Sequence, residues 1–266
     1  MYKVIFSDLD LTLLSNDKTI SNKNKEAIKK AKEKGVKFLL CTGRLPFCYE
    51  MFKDDLDLSN AVSTNGSIII NDSKIIKDEC LDSEIISVLV EYAIKHRIYL
   101  RLFAIDCLYN LNSDQGDSDM ITYLNMKDVN DNEARDIVKN MKLYKAAFFN
   151  KSHDYLLNVR KDLEEMNLNT ENVFSYDTFL EINQKGQTKG KGVEEYCRLC
   201  GVDIKDTIAI GDNNNDASML KVAGLAACPS NSIDEIKEIA DYISPLDNNQ
   251  GAVADIIEKF VLNSEK

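Results

Sequence analysis

The feature that most constrains the fold of this chain is a short apolar run that ends in polar residues and recurs with helix-like segments in between. Residues 4–6, 36–41 and 61–64 follow this pattern, and residues 207–210 and 225–228 repeat it later in the sequence. Apolar runs without polar alternation are typical of strands that are buried on both faces. Strand–helix–strand order implies right-handed crossovers between parallel strands. The sequence therefore predicts an α/β fold with a doubly wound, Rossmann-like parallel sheet.

The middle of the chain has a different pattern. Helix-like segments alternate there with runs that favour antiparallel pairing, such as residues 99–103 and 107–111. Helices and antiparallel strands in one block are typical of an α+β domain. We therefore expect a discontinuous core domain of residues 1–80 and 185–266, with an α+β domain of residues 81–184 inserted into it.

Charge and hydropathy disfavour several classes of function. The net charge of the 266 residues is −11, which opposes binding to nucleic acids or to anionic membranes. No stretch approaches the ~18 uncharged apolar residues that a membrane-spanning helix needs. The acidic residues Asp8 and Asp10 come too early for a signal peptide. We expect a protein with a small-molecule partner and with no nucleic-acid or membrane partner.

The cysteines indicate a reducing compartment. There are seven, widely spaced, and this does not fit a disulfide framework. Cys197 and Cys200 form a CxxC pair, but a zinc site would need a second pair or nearby histidines, and the histidines are His96 and His153. We interpret the pair as part of an amphipathic helix, and we expect a cytoplasmic, monomeric protein.

Two acidic clusters follow predicted buried strands. Asp8 and Asp10 come directly after the first strand, with Thr12 close behind, and Asp212 and Asp216 bracket an asparagine-rich turn after a later strand. Doubly wound sheets bind their ligands at such strand ends. Carboxylates gathered there repel one another unless a cation is present, and oxygen ligands with almost no histidine favour Mg²⁺. Each cluster alone is also compatible with an Asx turn or a helix N-cap, but together they favour a magnesium site.

Two further segments suit a phosphate group. Thr42 and Gly43 follow the second strand and offer a hydroxyl and an unshielded backbone N–H, although Thr-Gly also occurs in ordinary turns. Lys189 lies in a segment rich in lysine and glycine before a predicted helix at residues 191–199. It is either a solvated linker lysine or an ammonium that binds phosphate. The segment is not a P-loop, because the pattern GxxxxGK[ST] is absent.

These four segments, in this order, resemble the haloacid dehalogenase-like phosphatase superfamily, in particular its Cof-type subfamily. The four motifs are residues 8–12, Thr42 with Gly43, Lys189, and residues 211–216. The resemblance covers essentially the whole chain and includes an α/β cap domain inserted between the second and third motifs. One difference is Leu11, because many relatives have glycine at this place.

The resemblance implies a two-step phosphoryl transfer with Mg²⁺ as cofactor. Asp8 would be the nucleophile that becomes an aspartyl-phosphate, and Asp10 would act as acid and then as base. The resemblance assigns the remaining roles as follows: metal binding to Asp8, Asp212 and the backbone carbonyl of Asp10; phosphate binding to Thr42, Gly43, Lys189 and Asn215; and a supporting role to Thr12 and to Asp216, the latter for the metal or for Lys189.

The expected function is hydrolysis of small phosphorylated metabolites, with sugar phosphates as the first candidates. A phosphosugar mutase of the same superfamily, which would return the phosphoryl group to the sugar, is the main competing function. A receiver-like signalling module and a non-catalytic protein that binds phosphometabolites are two further candidates. The inserted domain disfavours the signalling module, and the complete set of motifs disfavours the non-catalytic protein.

Overall fold

The computed structural model describes residues 2–56, 58–116 and 125–263, which form two compact units. The first unit comprises Met1–Arg44, Tyr49–Asp78 and Gln187–Lys266, and the second comprises Leu45–Cys48 and Glu79–Gly186. Each unit has its own sheet and its own apolar core.

The first unit is built on an eight-stranded sheet. Its strands are β1 (Val4–Ser7), β2 (Lys37–Cys41), β3 (Ala61–Ser63), β4 (Ile68–Asn71), β5 (Lys74–Asp78), β12 (Thr207–Ile210), β13 (Leu225–Cys228) and β14 (Tyr242–Ile243). Their order is β14-β13-β12-β1-β2-β3-β4-β5, parallel from β14 to β3 and antiparallel in the β3–β4–β5 hairpins. Because β1 lies between β2 and β12, the carboxyl ends of these three strands meet at one edge.

Helices cover both faces of this sheet. They are α1 (Asn22–Glu33), α5 (Lys189–Cys200), α6 (Ala217–Val222), α7 (Asp234–Ile239) and α8 (Ala252–Ile257). Neighbouring side chains of a strand point to opposite faces, so Ile5 joins the core under α1 and α8, and Phe6 joins the core under α5, α6 and α7. The first unit is therefore doubly wound.

Local sequence signals explain where the two longest of these helices begin. The Ser21 hydroxyl accepts a hydrogen bond from the Asn24 N–H at 3.2 Å, and α1 starts directly after it. The Thr188 hydroxyl accepts from the Lys191 N–H at 3.2 Å, so α5 starts at Lys189. Both are N-caps of the kind that serine and threonine favour.

The second unit is a six-stranded sheet with helices on one face. Its strands are β6 (Tyr99–Ala104), β7 (Leu108–Leu111), β8 (Met126–Val129), β9 (Leu143–Phe149), β10 (Thr170–Tyr176) and β11 (Phe179–Gln184), in the order β10-β11-β9-β6-β7-β8. Its helices are α2 (Ser83–His96), α3 (Asp131–Asn140) and α4 (His153–Glu165). All strand pairs are antiparallel except β7–β8, as in an α+β domain.

The predicted fold class, a doubly wound α/β core with an α+β insert, is confirmed. None of the seven cysteines forms a disulfide, and Cys197 and Cys200 lie on α5, in agreement with their interpretation as helix residues. Within the described ranges, no helix has both the length and the apolar character needed to cross a membrane.

Candidate active site

Asp8 lies at the centre of the site because β1 is the central strand. It follows Ser7 directly, and its backbone N–H donates to the Ile210 carbonyl at 2.8 Å, which continues the pairing with β12 by one residue. Its side chain is 9% exposed. The sheet therefore holds a nearly buried carboxylate at the edge where β1 and β12 end.

Lys189 neutralises part of this buried charge. Its ammonium donates to Asp8 Oδ1 and to Asp216 Oδ1, at 2.5 Å each, and its side chain is 1% exposed. Lys189 is the first residue of α5, so the Thr188 cap fixes the point from which this side chain enters the site. The linker interpretation of Lys189 is wrong, because a solvated lysine would not be buried between two carboxylates.

Asp216 is held by hydrogen bonds at both of its oxygens. Oδ1 accepts from Lys189, and Oδ2 accepts from the backbone N–H groups of Asp212 at 2.9 Å and Asn213 at 3.1 Å. This turn folds so tightly on Gly211 that a Cβ at that position would lie 2.4 Å from Asp216 Cβ. Glycine is therefore required there, and Asp216 is oriented toward Lys189.

Asp212 completes a cluster that could hold a metal ion. One carboxylate oxygen from each of Asp8, Asp212 and Asp216 lies within 4.8 Å of the others. The Thr12 hydroxyl donates to Asp212 Oδ1 at 2.5 Å. The donors are all carboxylate oxygens, as hard divalent cations prefer. Three buried carboxylates face one ammonium, so a cation fits the charge of the site as well as its chemistry.

Burial shifts the pKa values of these groups. It raises the pKa of Asp8 to about 8, although Lys189 opposes the rise, and it raises the pKa of Asp212 to about 6, against the hydrogen bond from Thr12. The neighbouring carboxylate of Asp216 adds to both increases. For Lys189, burial disfavours the ammonium, but Asp216 and Asp8 outweigh it and raise the pKa. The site therefore keeps its ammonium, but this single positive charge does not balance the three carboxylates.

Asp10 lies outside the carboxylate cluster and has partners of its own. Arg44 binds it with two hydrogen bonds, from Nε at 2.8 Å and from a terminal nitrogen at 2.6 Å, and Lys18 donates to it at 3.1 Å. Burial works to raise the pKa of Asp10, but these hydrogen bonds and charges outweigh it and lower the pKa. Arg44 and Lys18 were not among the predicted site residues. The sequence signal that could have identified Arg44 is its position directly after Gly43.

Thr42 and Gly43 follow the end of β2, on the side of β1 away from β12. Thr42 is buried, and its hydroxyl accepts from the Arg44 N–H at 3.1 Å. No hydrogen bond of the described residues uses the Gly43 N–H, so it is available to a ligand oxygen. Asn215 lies on the turn that carries Asp216 and is exposed.

Leu11 adopts the left-handed conformation for which glycine is suited. Its φ is 60° and the residue is 41% exposed. A residue with a Cβ is destabilised there relative to glycine by roughly 1 kcal/mol. The difference between Leu11 and the glycine of many relatives is therefore accommodated with a strained turn, which still brings Asp10 and Thr12 to the observed positions.

We expect the Leu11→Gly variant to be more stable than Leu11→Ala by about 1 kcal/mol, because both lose the exposed side chain and only glycine relieves the strain. Urea unfolding of the two variants measures the difference. Equal midpoints, or a more stable alanine variant, would contradict the strained conformation.

A doubly wound core that gathers acidic groups, a buried lysine and a Thr-Gly turn at its strand ends has its candidate site where α/β enzymes of this fold bind their ligands. A family model described as haloacid dehalogenase-like hydrolase matches residues 5–257. The chain belongs to this family.

Curated relatives and solved structures agree with this assignment. Two phosphatases of Bacillus subtilis (strain 168), YwtE and YcsE, are each named as a 5-amino-6-(5-phospho-D-ribitylamino)uracil phosphatase. YwtE is 28% identical, covering 97% of this chain and 98% of its own length. YcsE is 27% identical, and its alignment covers 98% of this chain and 96% of the length of YcsE. The crystal structure of a haloacid dehalogenase-like hydrolase from Bacteroides thetaiotaomicron superposes with a TM-score of 0.85 at 24% identity, covering 98% of this chain and 100% of that one.

Proposed function

We propose that this hydrolase is a Mg²⁺-dependent phosphatase of small phosphorylated metabolites, with sugar phosphates and sugar-alcohol phosphates as the first candidates, and that it acts through an aspartyl-phosphate. The observation that carries the proposal is the buried Asp8 carboxylate, which is ion-paired with Lys189 inside a cluster of carboxylates. A carboxylate fixed in this way is a nucleophile with a defined direction of attack.

In the first step, an Asp8 oxygen forms a bond to phosphorus while the bond from phosphorus to the ester oxygen breaks. Asp10 gives a proton to the leaving oxygen. In the second step, Asp10 takes a proton from a water molecule, the water oxygen bonds to phosphorus, and the bond to Asp8 breaks. The products are the alcohol and inorganic phosphate, and both carboxyl groups return to their starting forms.

The surrounding groups stabilise the charge of the phosphoryl oxygens. The Lys189 ammonium, the Thr42 hydroxyl and the Gly43 N–H are donors that suit these oxygens, and Asn215 supplies an amide at the fourth motif. Asp216 orients Lys189, since its other oxygen is already bound by two backbone N–H groups.

Mg²⁺ would be held by Asp8, Asp212 and the backbone carbonyl of Asp10, and it would neutralise charge that develops on the phosphoryl oxygens. Thr12 fixes the orientation of Asp212 through its 2.5 Å hydrogen bond. A cation there would also relieve the repulsion that raises the pKa values of Asp8 and Asp212.

Arg44 and Lys18 determine the proton state of Asp10 in the free enzyme. Because they favour the ionised form, Asp10 is ready to accept a proton, and its role as acid requires the ion pair with Arg44 to open. A phosphate ester is an alternative anionic partner for Arg44. Substrate binding then releases Asp10 from Arg44, and Asp10 takes up from the solvent the proton that it gives to the leaving oxygen.

The substrate class rests on charge and on the relatives. The net charge of −11 opposes polyanionic partners, and both named relatives act on a phosphorylated ribityl compound. We extend the proposal to a monomeric protein of the cytoplasm that binds no nucleic acid. Light scattering tests the monomeric state, and fractionation of cells that express the protein tests the cytoplasmic location. Titration with an oligonucleotide tests nucleic-acid binding.

A substrate panel tests the proposed function. Hexose phosphates, pentose phosphates, 5-amino-6-(5-phospho-D-ribitylamino)uracil, a phosphopeptide and a 5′-phosphorylated oligonucleotide are compared by phosphate release with Mg²⁺ present and absent. We expect kcat/KM to be highest for small sugar or sugar-alcohol phosphates. Preference for a macromolecule would contradict the substrate class, and isomerised product without free phosphate would indicate a mutase.

We expect the affinity for Mg²⁺ to rise with pH. A carboxyl group with a raised pKa keeps its proton to a higher pH, and that proton must leave before the oxygen can bind a cation. With pKa values of about 8 for Asp8 and about 6 for Asp212, the affinity should rise about tenfold per pH unit between pH 6 and 7.5. Calorimetry in two buffers of different ionisation enthalpy counts the released protons. A pH-independent affinity would show that these carboxyl groups are not the ligands.

A further inference from the structure

The turn that follows β3 has an unusual backbone. Thr64, Asn65 and Gly66 all have positive φ, at 53°, 54° and 95°. Glycine and asparagine tolerate this region, but a β-branched threonine there is a genuine outlier, of the kind that persists where the surrounding structure imposes it. The contacts of this turn with neighbouring segments therefore impose its conformation.

The turn is bonded to the loop that carries Thr42 and Gly43. The Asn65 N–H donates to the Thr42 carbonyl at 3.1 Å, and the Thr64 N–H donates to the Arg44 carbonyl at 3.1 Å. The Arg44 carbonyl also accepts from the Ser63 hydroxyl at 2.6 Å. The carbonyls on both sides of Gly43 are thus fixed by the strained turn.

The same turn touches the start of α5. A Cβ on Gly66 would lie 2.8 Å from the Thr188 carbonyl oxygen and 3.0 Å from Gly192 Cα, and a Cβ on Gly192 would lie 2.8 Å from Gly66 Cα. Backbone therefore packs directly on backbone. The turn joins the Thr42–Gly43 loop to the helix start that carries Lys189.

The Asn65 side chain fills the space beside Gly43. A Cβ on Gly43 would lie 3.1 Å from Asn65 Oδ1, and this Oδ1 is buried with no hydrogen-bond partner in the described part of the chain. An unsatisfied buried acceptor is unfavourable. The Asn65 carboxamide is therefore locally destabilising, because its buried oxygen lacks a partner. Thr64 is also locally destabilising, because its φ is positive.

We propose that Asn65 is a positioning residue for phosphate binding. Its N–H holds Thr42, its carboxamide supports Gly43, and its left-handed backbone brings Gly66 against α5. In this way it sets the distance between the donors of the Thr42–Gly43 loop and the Lys189 ammonium. The inference rests on the proposed function, because it takes those donors to be phosphate ligands.

The test is the binding of inorganic phosphate, measured by calorimetry on the full chain with Mg²⁺ present, together with Mg²⁺ binding alone. Asn65→Gly keeps the left-handed backbone and removes the carboxamide. Asn65→Asp keeps the backbone and the shape but places a carboxylate beside the loop. Asn167→Gly, at an exposed asparagine with φ of 52°, is the matched control.

We expect both Asn65 variants to bind phosphate at least about tenfold more weakly, since small misplacements of binding groups have large effects, and to bind Mg²⁺ within about twofold of the wild type. The control should match the wild type for both ligands. Unchanged phosphate affinity in both variants, or an equal loss of phosphate and Mg²⁺ affinity, overturns the proposal. If the wild type binds phosphate but hydrolyses no ester, the proposed function fails and the positioning role stands on the affinities.

Discussion

The Asp8→Asn variant is expected to lose phosphatase activity by at least about 10³-fold while it remains folded. An amide is a poor nucleophile, and loss of a nucleophile in a covalent mechanism removes most of the rate enhancement. The fold should tolerate the change, because Lys189 keeps its 2.5 Å ion pair with Asp216 and the cluster loses one repelling charge. Single-turnover assays and thermal unfolding measure the two properties.

Asp10→Asn is the informative comparison for this variant. It retains the nucleophile but cannot activate water, so it should accumulate phosphoenzyme from a substrate with a good leaving group such as p-nitrophenyl phosphate. Asp8→Asn should form none. A phosphoryl group found on another residue of the wild type would refute Asp8 as the nucleophile, and full activity of Asp10→Asn would refute the acid–base role.

The Lys189→Met variant is expected to lose about 3–5 kcal/mol of unfolding free energy in chelator-treated protein. Removing one partner of a buried ion pair leaves its charge uncompensated, and here two carboxylates, Asp8 and Asp216, lose their common partner. Lys161→Met is the control, because Lys161 is 73% exposed and its ion pair with Glu165 contributes little. Urea unfolding measures both variants.

The pH dependence of the loss identifies its cause. Burial already holds the pKa of Asp8 in the folded protein above its unfolded value, and loss of the opposing ammonium raises this pKa further. The folded state then binds more protons than the unfolded state, so the deficit shrinks as the pH falls and grows as it rises. Because the pKa of Asp8 in the wild type is about 8, the two proteins differ in bound protons mainly above that pH, and a deficit that is equal at pH 6 and pH 9.5 would indicate a packing defect. The double variant Lys189→Met, Asp216→Asn should recover part of the loss.

The buried elements of this fold were predictable because their signals are local. The strands Thr207–Ile210 and Leu225–Cys228 coincide with their apolar runs. The strands that gave no clear signal, β8, β10 and β14, all lie at sheet edges. An edge strand has fewer buried side chains, so its pairing depends on the neighbouring strand more than on its own composition.

The candidate site also has features that were predictable from the sequence and features that were not. The strand ends and motif order identified Asp8, Asp212 and Lys189 as neighbours, since parallel strands end at one edge. The partners of Asp10 were not predictable, because the bond from Arg44 depends on how the loop after β2 turns. The left-handed backbone at Asn65 was also not predictable from the sequence, because contacts with Thr42 and α5, which are remote in sequence, impose it.

The central position of β1 also determines when this site can form. Val4 pairs with Lys37 on one side and with Thr207 on the other. At the usual rate of synthesis, β12 leaves the ribosome roughly 10–40 s after β1. During this interval β1 has one open edge made of apolar residues, which invites pairing with other chains. Assembly of Asp8 with Lys189 and Asp212 is therefore a late event of folding, and chains that end before residue 207 lack half of the partners of their central strand.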